Sequence, residues 1–212
     1  MFLVDWLIKG SKNIVVDHAF VPDHRRYFIG RSTAMADPGR ATFTADTYKV
    51  SFGVAFSYTL ASVSLGIADG AIEYAINYLR NRKSAYDGSA YINDPTTQKM
   101  LAQAYSAVDG LHLKMDRDLA EMEAYLKSGE EIPMDRRMFY RWHTTEIPRM
   151  AKDAVNLLIE GCGGSSFMNA SPLQRYFRDI NCISNHQVVN YEMGASSFGY
   201  NLLTGENNHP LV

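Results

Sequence analysis

Four short stretches of this chain carry side chains of a type and spacing that could do chemistry. Residues 177–187, FRDINCISNHQ, set Arg178 beside Asp179, then a lone His186 seven residues on, followed by the amide Gln187. Histidine is the side chain whose ordinary pKa lies nearest neutrality, so His186 is a candidate acid–base group; a lone histidine behind a capped helix is also a common structural one. Tyr191, Glu192 and Tyr200 follow closely, but their spacing forms no triad with a serine or cysteine. In HTTE, His143 and Glu146 stand one helical turn apart. Di-iron bundles use Glu-x-x-His from two helices plus two more glutamates, whereas here the order is reversed and occurs once. An exposed or capping pair is therefore expected, and no metal site. GCGGSS, residues 161–166, lies between helical stretches, without the preceding strand and GxGxxG spacing of a dinucleotide site. It reads as a helix C-cap and a turn, with Gly163 and Gly164 also able to let backbone approach a ligand. RNRK, residues 80–83, ends a helical stretch. Arg80 and Arg82 suit the helix dipole there, and guanidinium also binds phosphate bidentately; on composition alone the solvated reading is preferred.

The elements that must position these groups are mainly helical. Val54, Tyr58, Ala61, Leu65, Ala68, Ile72, Ala75 and Leu79 recur at steps of four and three, the pattern of a long amphipathic helix. A second helix starts at Asp94 as N-cap with Pro95 first, carries a stripe through Leu101, Ala104, Val108, Leu111, Met115, Leu119, Met122 and Leu126, and stops at Gly129. A third runs from Pro133 through Phe139, Trp142, Met150, Ala154 and Leu158, with Pro148 inside it as an expected kink. A fourth opens at Ser171-Pro172, and helical pattern returns through residues 188–203. The expected fold is mainly α: an antiparallel up-down helical bundle with helices near 48–82, 95–128, 133–160 and 171–203. Ahead of it, NIVVDHAFV (13–21) reads as a strand bounded by Ser11 and Pro22, and residues 32–46 as a connector with a Pro-Gly turn. One strand cannot satisfy its own ladder, so this piece needs partners.

Composition narrows the function. Lys and Arg total 21 against 23 acids, a formal charge of −2, which leaves no basic excess for phosphate backbones; nucleic-acid binding is not expected. The apolar start MFLVDWLIKG is too short to span a bilayer, contains Asp5, and lacks a basic leader and cleavage site, so neither a membrane span nor a signal peptide is expected. Cys162 and Cys182 are the only cysteines and form no CxxC pair, which fits a reduced, cytoplasmic setting.

Taken together, the stretches resemble the C-terminal half of the acyl-CoA dehydrogenase superfamily. GSKNIVVDHAFVPDHR (10–25) resembles the last strand of that family's middle β-domain, and Val50 to Leu203 resembles its C-terminal four-helix bundle. GCGGSSFMNASPLQRYFRD (161–179) resembles a specific landmark, a glycine-rich turn followed by Pro-x-x-Arg-x-x-Arg-Asp, here Pro172, Arg175, Arg178 and Asp179. The resemblance implies residues 1–31 as a remnant of the β-domain with its connector and residues 32–212 as the helical domain. It also implies a truncated reading frame or a surviving C-terminal module, because most of the β-domain and the N-terminal helical domain have no counterpart here.

The same resemblance gives His186 a context. In the dehydrogenases proper a Tyr-Glu-Gly sequence follows the Arg-Asp pair, and its glutamate abstracts the substrate α-proton. Counted from Asp179, that tyrosine falls on His186 and that glutamate on Gln187, and an amide is no base. The chain is more similar to the oxygenase components of two-component flavin monooxygenases acting on 4-hydroxyphenylacetate and related phenols, and to steroid-phenol and naphthocyclinone-type hydroxylases. These carry a histidine in this region. The resemblance implies reduced flavin, FMN or FAD, supplied by a separate flavin reductase, with O2 and a small aromatic substrate. His186 is then the implied catalytic group, as base or hydrogen-bond partner to the phenol. Gly163 and Gly164 would lie against the flavin, with Arg80 or Arg82 near phosphate. A homo-oligomer, dimer or tetramer, is implied as well. The alternatives are an acyl-CoA dehydrogenase-like flavoprotein fragment, and an inactive helical module that only assembles or binds.

Overall fold

The computed structural model describes residues 15–33, 36–210 and 212. The apolar start and the first part of the expected strand, residues 1–14, lie outside them. Five long helices carry the fold: α1 Phe52–Arg80, α2 Pro95–Ser128, α3 Met134–Cys162, α4 Pro172–Ile183 and α5 Tyr191–Thr204. A single helical turn, Ile29–Thr33, and short 3-10 turns fill the connections.

All eight stripe residues of α1, from Val54 to Leu79, are buried, so the four-and-three spacing does mark the face turned to the core. By length and composition α1 is also apolar enough to cross a membrane, but here that face packs against α3, α4 and α2. Asp94 caps α2 as expected, accepting from the backbone N–H groups of Thr96 and Thr97 at 3.3 and 2.9 Å, and Gly129 closes it in the left-handed region. Helix α3 is central: it packs on all four other long helices and runs on through Pro148. Its approach to α5 depends on Gly194, because a Cβ there would collide with the side chain of Thr145.

Two expectations change. The strand expected over 13–21 is not formed in its described part, residues 15–21. Val15 and Phe20 are each 89% exposed, and among the described residues the only β pairing is an isolated bridge between Lys83 and Ala90. With no neighbouring strand to pair with, the segment has nothing to repay its ordering. The helix expected over 171–203 is two helices. Ser184, Asn185 and His186 interrupt it, the last with an extended backbone, and Asn190 restarts the helix by accepting from the N–H of Met193 at 2.9 Å. The break puts His186 at the head of a 3-10 turn, Gln187–Val189.

Candidate functional site at the His186 turn

The structure sends the candidate residues to two ends of α1. At its C-terminal end, Arg82 donates to the carbonyl of Cys162, and its guanidinium lies over the rings of Tyr78 and Tyr91 at 5.0 and 4.7 Å. Gly163 sits against it at φ 75°, where a Cβ would stand 3.2 Å from Arg82 Nη2. Gly164 faces open space and begins the turn Gly164–Phe167, which Tyr78 joins through Ser165 Oγ at 2.7 Å. Arg82, Gly163 and Gly164 are thus brought together. Arg80 is not: it is exposed, with Asn77 at 3.5 Å as its partner on the same helix. The Cys162 thiol is fully buried, which pushes its pKa up to about 11 despite the opposing charge of Arg82, so it is no nucleophile.

At the N-terminal end of α1, half-buried His186 faces the Phe56 ring edge-on, with centroids 6.5 Å apart. Phe56 stacks on Phe52 at 5.3 Å, and Phe52 meets Tyr27 at 5.6 Å, so an aromatic row leads up to the imidazole. The His186 Nδ1 accepts from the Val188 N–H at 3.2 Å. A neutral imidazole accepting at Nδ1 carries its proton on Nε2, so the group presented outward is a donor. Phe56 and Tyr78 stand 22 positions apart on α1, about 33 Å at 1.5 Å per residue. The His186 turn and the Gly163 loop therefore stand at opposite ends of α1.

Beneath His186 lies a group the sequence did not single out. Arg141 on α3 is 1% exposed, and its guanidinium donates to four neutral partners: Ser57 Oγ at 3.2 Å, Thr144 Oγ1 at 2.8 Å, His209 Nε2 at 3.2 Å and the carbonyl of Val188. Burial lowers its pKa to about 10, which leaves it charged near neutrality. Burial, and then the Arg141 charge, lower His209 to about 4 and keep it neutral as an acceptor.

A second buried network sits alongside. Asp118, fully buried on α2, accepts from Tyr58 at 2.9 Å and Arg117 at 2.9 Å, and meets His143 Nδ1 at 2.5 Å. Burial alone would raise the Asp118 carboxyl, but the bonds from His143, Arg117 and Tyr58 outweigh it and hold it below the usual carboxylate range. Burial first, and then Asp118, raise the Tyr58 hydroxyl well above its ordinary value, so it stays protonated and donates. The expected exposed pair His143–Glu146 is thereby corrected: His143 belongs to the buried network, and Glu146 turns away to Lys114 at 2.7 Å. The signal was present in the α2 stripe. Steps of four and three from Leu111 and Met115 land on Asp118 before Met122, and the neighbouring Leu119, assigned to the stripe, is 45% exposed. Asp179 of the 161–179 landmark meets Arg175 one turn back on its own helix at 3.5 Å.

Comparison with known proteins places this geometry. Residues 58–191 match the acyl-CoA dehydrogenase C-terminal domain. The chain is 28% identical over 204 residues to the oxygenase subunit HsaA of a flavin-dependent monooxygenase from Rhodococcus jostii, covering 96% of this chain and 52% of that protein. It is 25% identical over 207 residues to the oxygenase component of p-hydroxyphenylacetate 3-hydroxylase from Acinetobacter baumannii, covering 96% and 48%. The crystal structure of 3-HSA hydroxylase from Rhodococcus sp. RHA1 superposes with a TM-score of 0.86 at 26% identity, over 93% of this chain and 51% of that one. The chain therefore spans about half the length of the curated relatives it matches.

Proposed function

Since the chain belongs to the acyl-CoA dehydrogenase family through its C-terminal domain, we propose that it is the C-terminal part of the oxygenase component of a two-component, flavin-dependent aromatic hydroxylase. In support, one relative is named as the oxygenase subunit of a flavin-dependent monooxygenase and another as the oxygenase component of p-hydroxyphenylacetate 3-hydroxylase. In this reading the substrate is a small phenol, a separate reductase supplies reduced FMN or FAD, and residues 10–25 close a β-domain against an antiparallel up-down bundle formed by residues 32–212.

The observation that carries the reading is the His186 turn, where a polarised N–H stands at the end of the aromatic row Tyr27–Phe52–Phe56. A flat aromatic ring packs well along such a row, and a donor at its end stabilises a phenolate oxygen. In this reading His186 serves as hydrogen-bond donor, which the Val188 bond at Nδ1 supports; service as a base at Nε2 would first require its proton to move to Nδ1 and the Val188 bond to break. The exposed neighbour Gln187 has no carboxylate, so nothing at this turn abstracts a proton next to a thioester, which weighs against acyl-CoA dehydrogenation. Bound reduced flavin would supply the activation of O2. For its phosphate end, the open face of Gly164 and the N–H groups of that turn fit better than Arg82, whose guanidinium is already held by the Cys162 carbonyl and two rings. Because about 33 Å of α1 separates that loop from His186, a complete site takes the His186 turn from one copy and the Gly163 loop from another, and the protein works as a homo-oligomer.

Anaerobic calorimetric titration with reduced FMN and with FADH2, paired with sedimentation, tests this. Saturable binding by an oligomer is the expected result. A monomer with no binding would instead favour the module that only assembles or binds, consistent with Arg82 being satisfied inside the chain.

A further inference from the structure

Arg141 has a feature that the proposed hydroxylation does not itself require: a buried cation all of whose partners are neutral. Burying an ionised guanidinium without an acid is costly, and each of its N–H groups must be satisfied for the fold to tolerate it. The four partners come from four places in the chain: Ser57 on α1, Thr144 on α3, Val188 in the His186 turn and His209 behind α5. Arg141 therefore ties together two helices, the turn and the C-terminal segment.

Val188 makes the connection specific. Its carbonyl takes the Arg141 Nη2 bond, while its N–H is donated to His186 Nδ1. The carbonyl and the N–H belong to adjacent peptide groups joined at the Val188 Cα, and the Gln187–Val189 turn, closed by the Val189 N–H on the His186 carbonyl at 2.9 Å, holds the angles between them; anchoring the carbonyl therefore restrains the N–H that decides which imidazole nitrogen carries the proton. A charge-assisted bond from a buried donor holds such a peptide more firmly than the neutral bonds of the 3-10 turn alone. His209 supplies the opposing tie. It is 3% exposed, its own N–H is held by Asn207 Oδ1 at 2.7 Å, and its Nε2 keeps the guanidinium aimed at the turn.

We propose that Arg141 is the positioning residue of the His186 site: anchored by His209, it holds the Val188 peptide so that His186 is locked as an outward Nε2–H donor. The importance of that lock rests on the hydroxylase reading, but the lock itself is measurable without flavin or substrate.

The test uses the full chain labelled with 15N-histidine, reading the ring nitrogens of His186 and the exchange rate of the Val188 amide. Wild type should show one tautomer, with Nδ1 unprotonated. In Arg141→Met, the Val188 amide should exchange about tenfold faster or more, the order set by losing one charge-assisted bond, and His186 should show a mixture of tautomers. His143, bonded to Asp118 and outside this set of contacts, should keep its signals. If Arg141→Met does not fold, His209→Ala decides: it leaves the other three bonds in place and should give the same changes at smaller size. A folded variant with the wild-type tautomer and exchange rate overturns the positioning role, even in a chain that hydroxylates phenols. A single tautomer in wild type that is lost in Arg141→Met, in a protein whose wild type binds no flavin, would uphold the lock and remove the hydroxylase reading.

Discussion

The two ends of α1 solve the same problem in opposite ways. At the Gly163 end the cation sits near the surface: Arg82 is only half-buried, covers two tyrosine rings and takes a carbonyl that would otherwise be left over at the end of α3. At the His186 end the cation is 1% exposed and bonded on every side. A guanidinium next to water can satisfy itself locally and serve a turn. One cut off from water has to recruit partners from distant parts of the chain, and so becomes a device for holding them in register. The difference argues that accurate geometry is maintained at the His186 end, where the chemistry would be, and that the Gly163 end needs only a stable loop.

The largest expected effect breaks the chemical end. In an assembly that hydroxylates, His186→Ala should lower the rate about a hundredfold to a thousandfold, the typical loss on removing one positioned donor to a developing oxyanion, with helicity by circular dichroism unchanged. Next is the neighbouring polar core: Asp118→Ala strips the acceptor from two buried donors, Tyr58 and His143, and from exposed Arg117, and should cost about 3–5 kcal/mol in urea unfolding, as for breaking a buried charge pair. A third measurement sharpens the contrast through pH. His209 is neutral in both folded and unfolded chains above its ordinary value of 6.5. From there down to about 4 the unfolded chain takes up a proton that the folded one refuses, so stability should fall as pH falls through that window and level off below it. Thermal melts of His209→Gln should lack that slope. Asp118 adds a separate loss at lower pH, as its depressed carboxyl finally takes a proton. The smallest effects belong to the Gly163 end. Gly163→Ala puts a side chain at φ 75° beside Arg82 and should cost about 1–3 kcal/mol, while leaving the His186 tautomer untouched. Arg80→Ala should stay within about 0.5 kcal/mol of wild type. A Gly163 substitution that did disturb the histidine would erase the distinction between the two ends.

What the sequence revealed follows from the range of the forces involved. The α1 stripe and the Asp94 and Gly129 caps of α2 are set by neighbours within one turn, and they appear in the structure where local pattern puts them. The fold family was legible through the 161–179 landmark and is borne out by the match over residues 58–191. The β-strand failed because a strand's stability lies in its partners rather than in its own residues. Arg141 was missed for a similar reason. Its partners stand at positions 57, 144, 188 and 209, and no spacing rule joins them. Asp118 was hidden differently: an apolar Leu119 next to it absorbed the stripe, though a carboxylate at a core position was itself the clue.

The tie to His209 also has a meaning in time. The turn at His186 leaves the ribosome 23 residues before the group that holds Arg141 in place. The imidazole cannot take up its final orientation until the segment behind α5 has been synthesised and folded back. If the protein hydroxylates, this order of assembly leaves the donor to be set last, when the segment that carries His209 folds back onto Arg141.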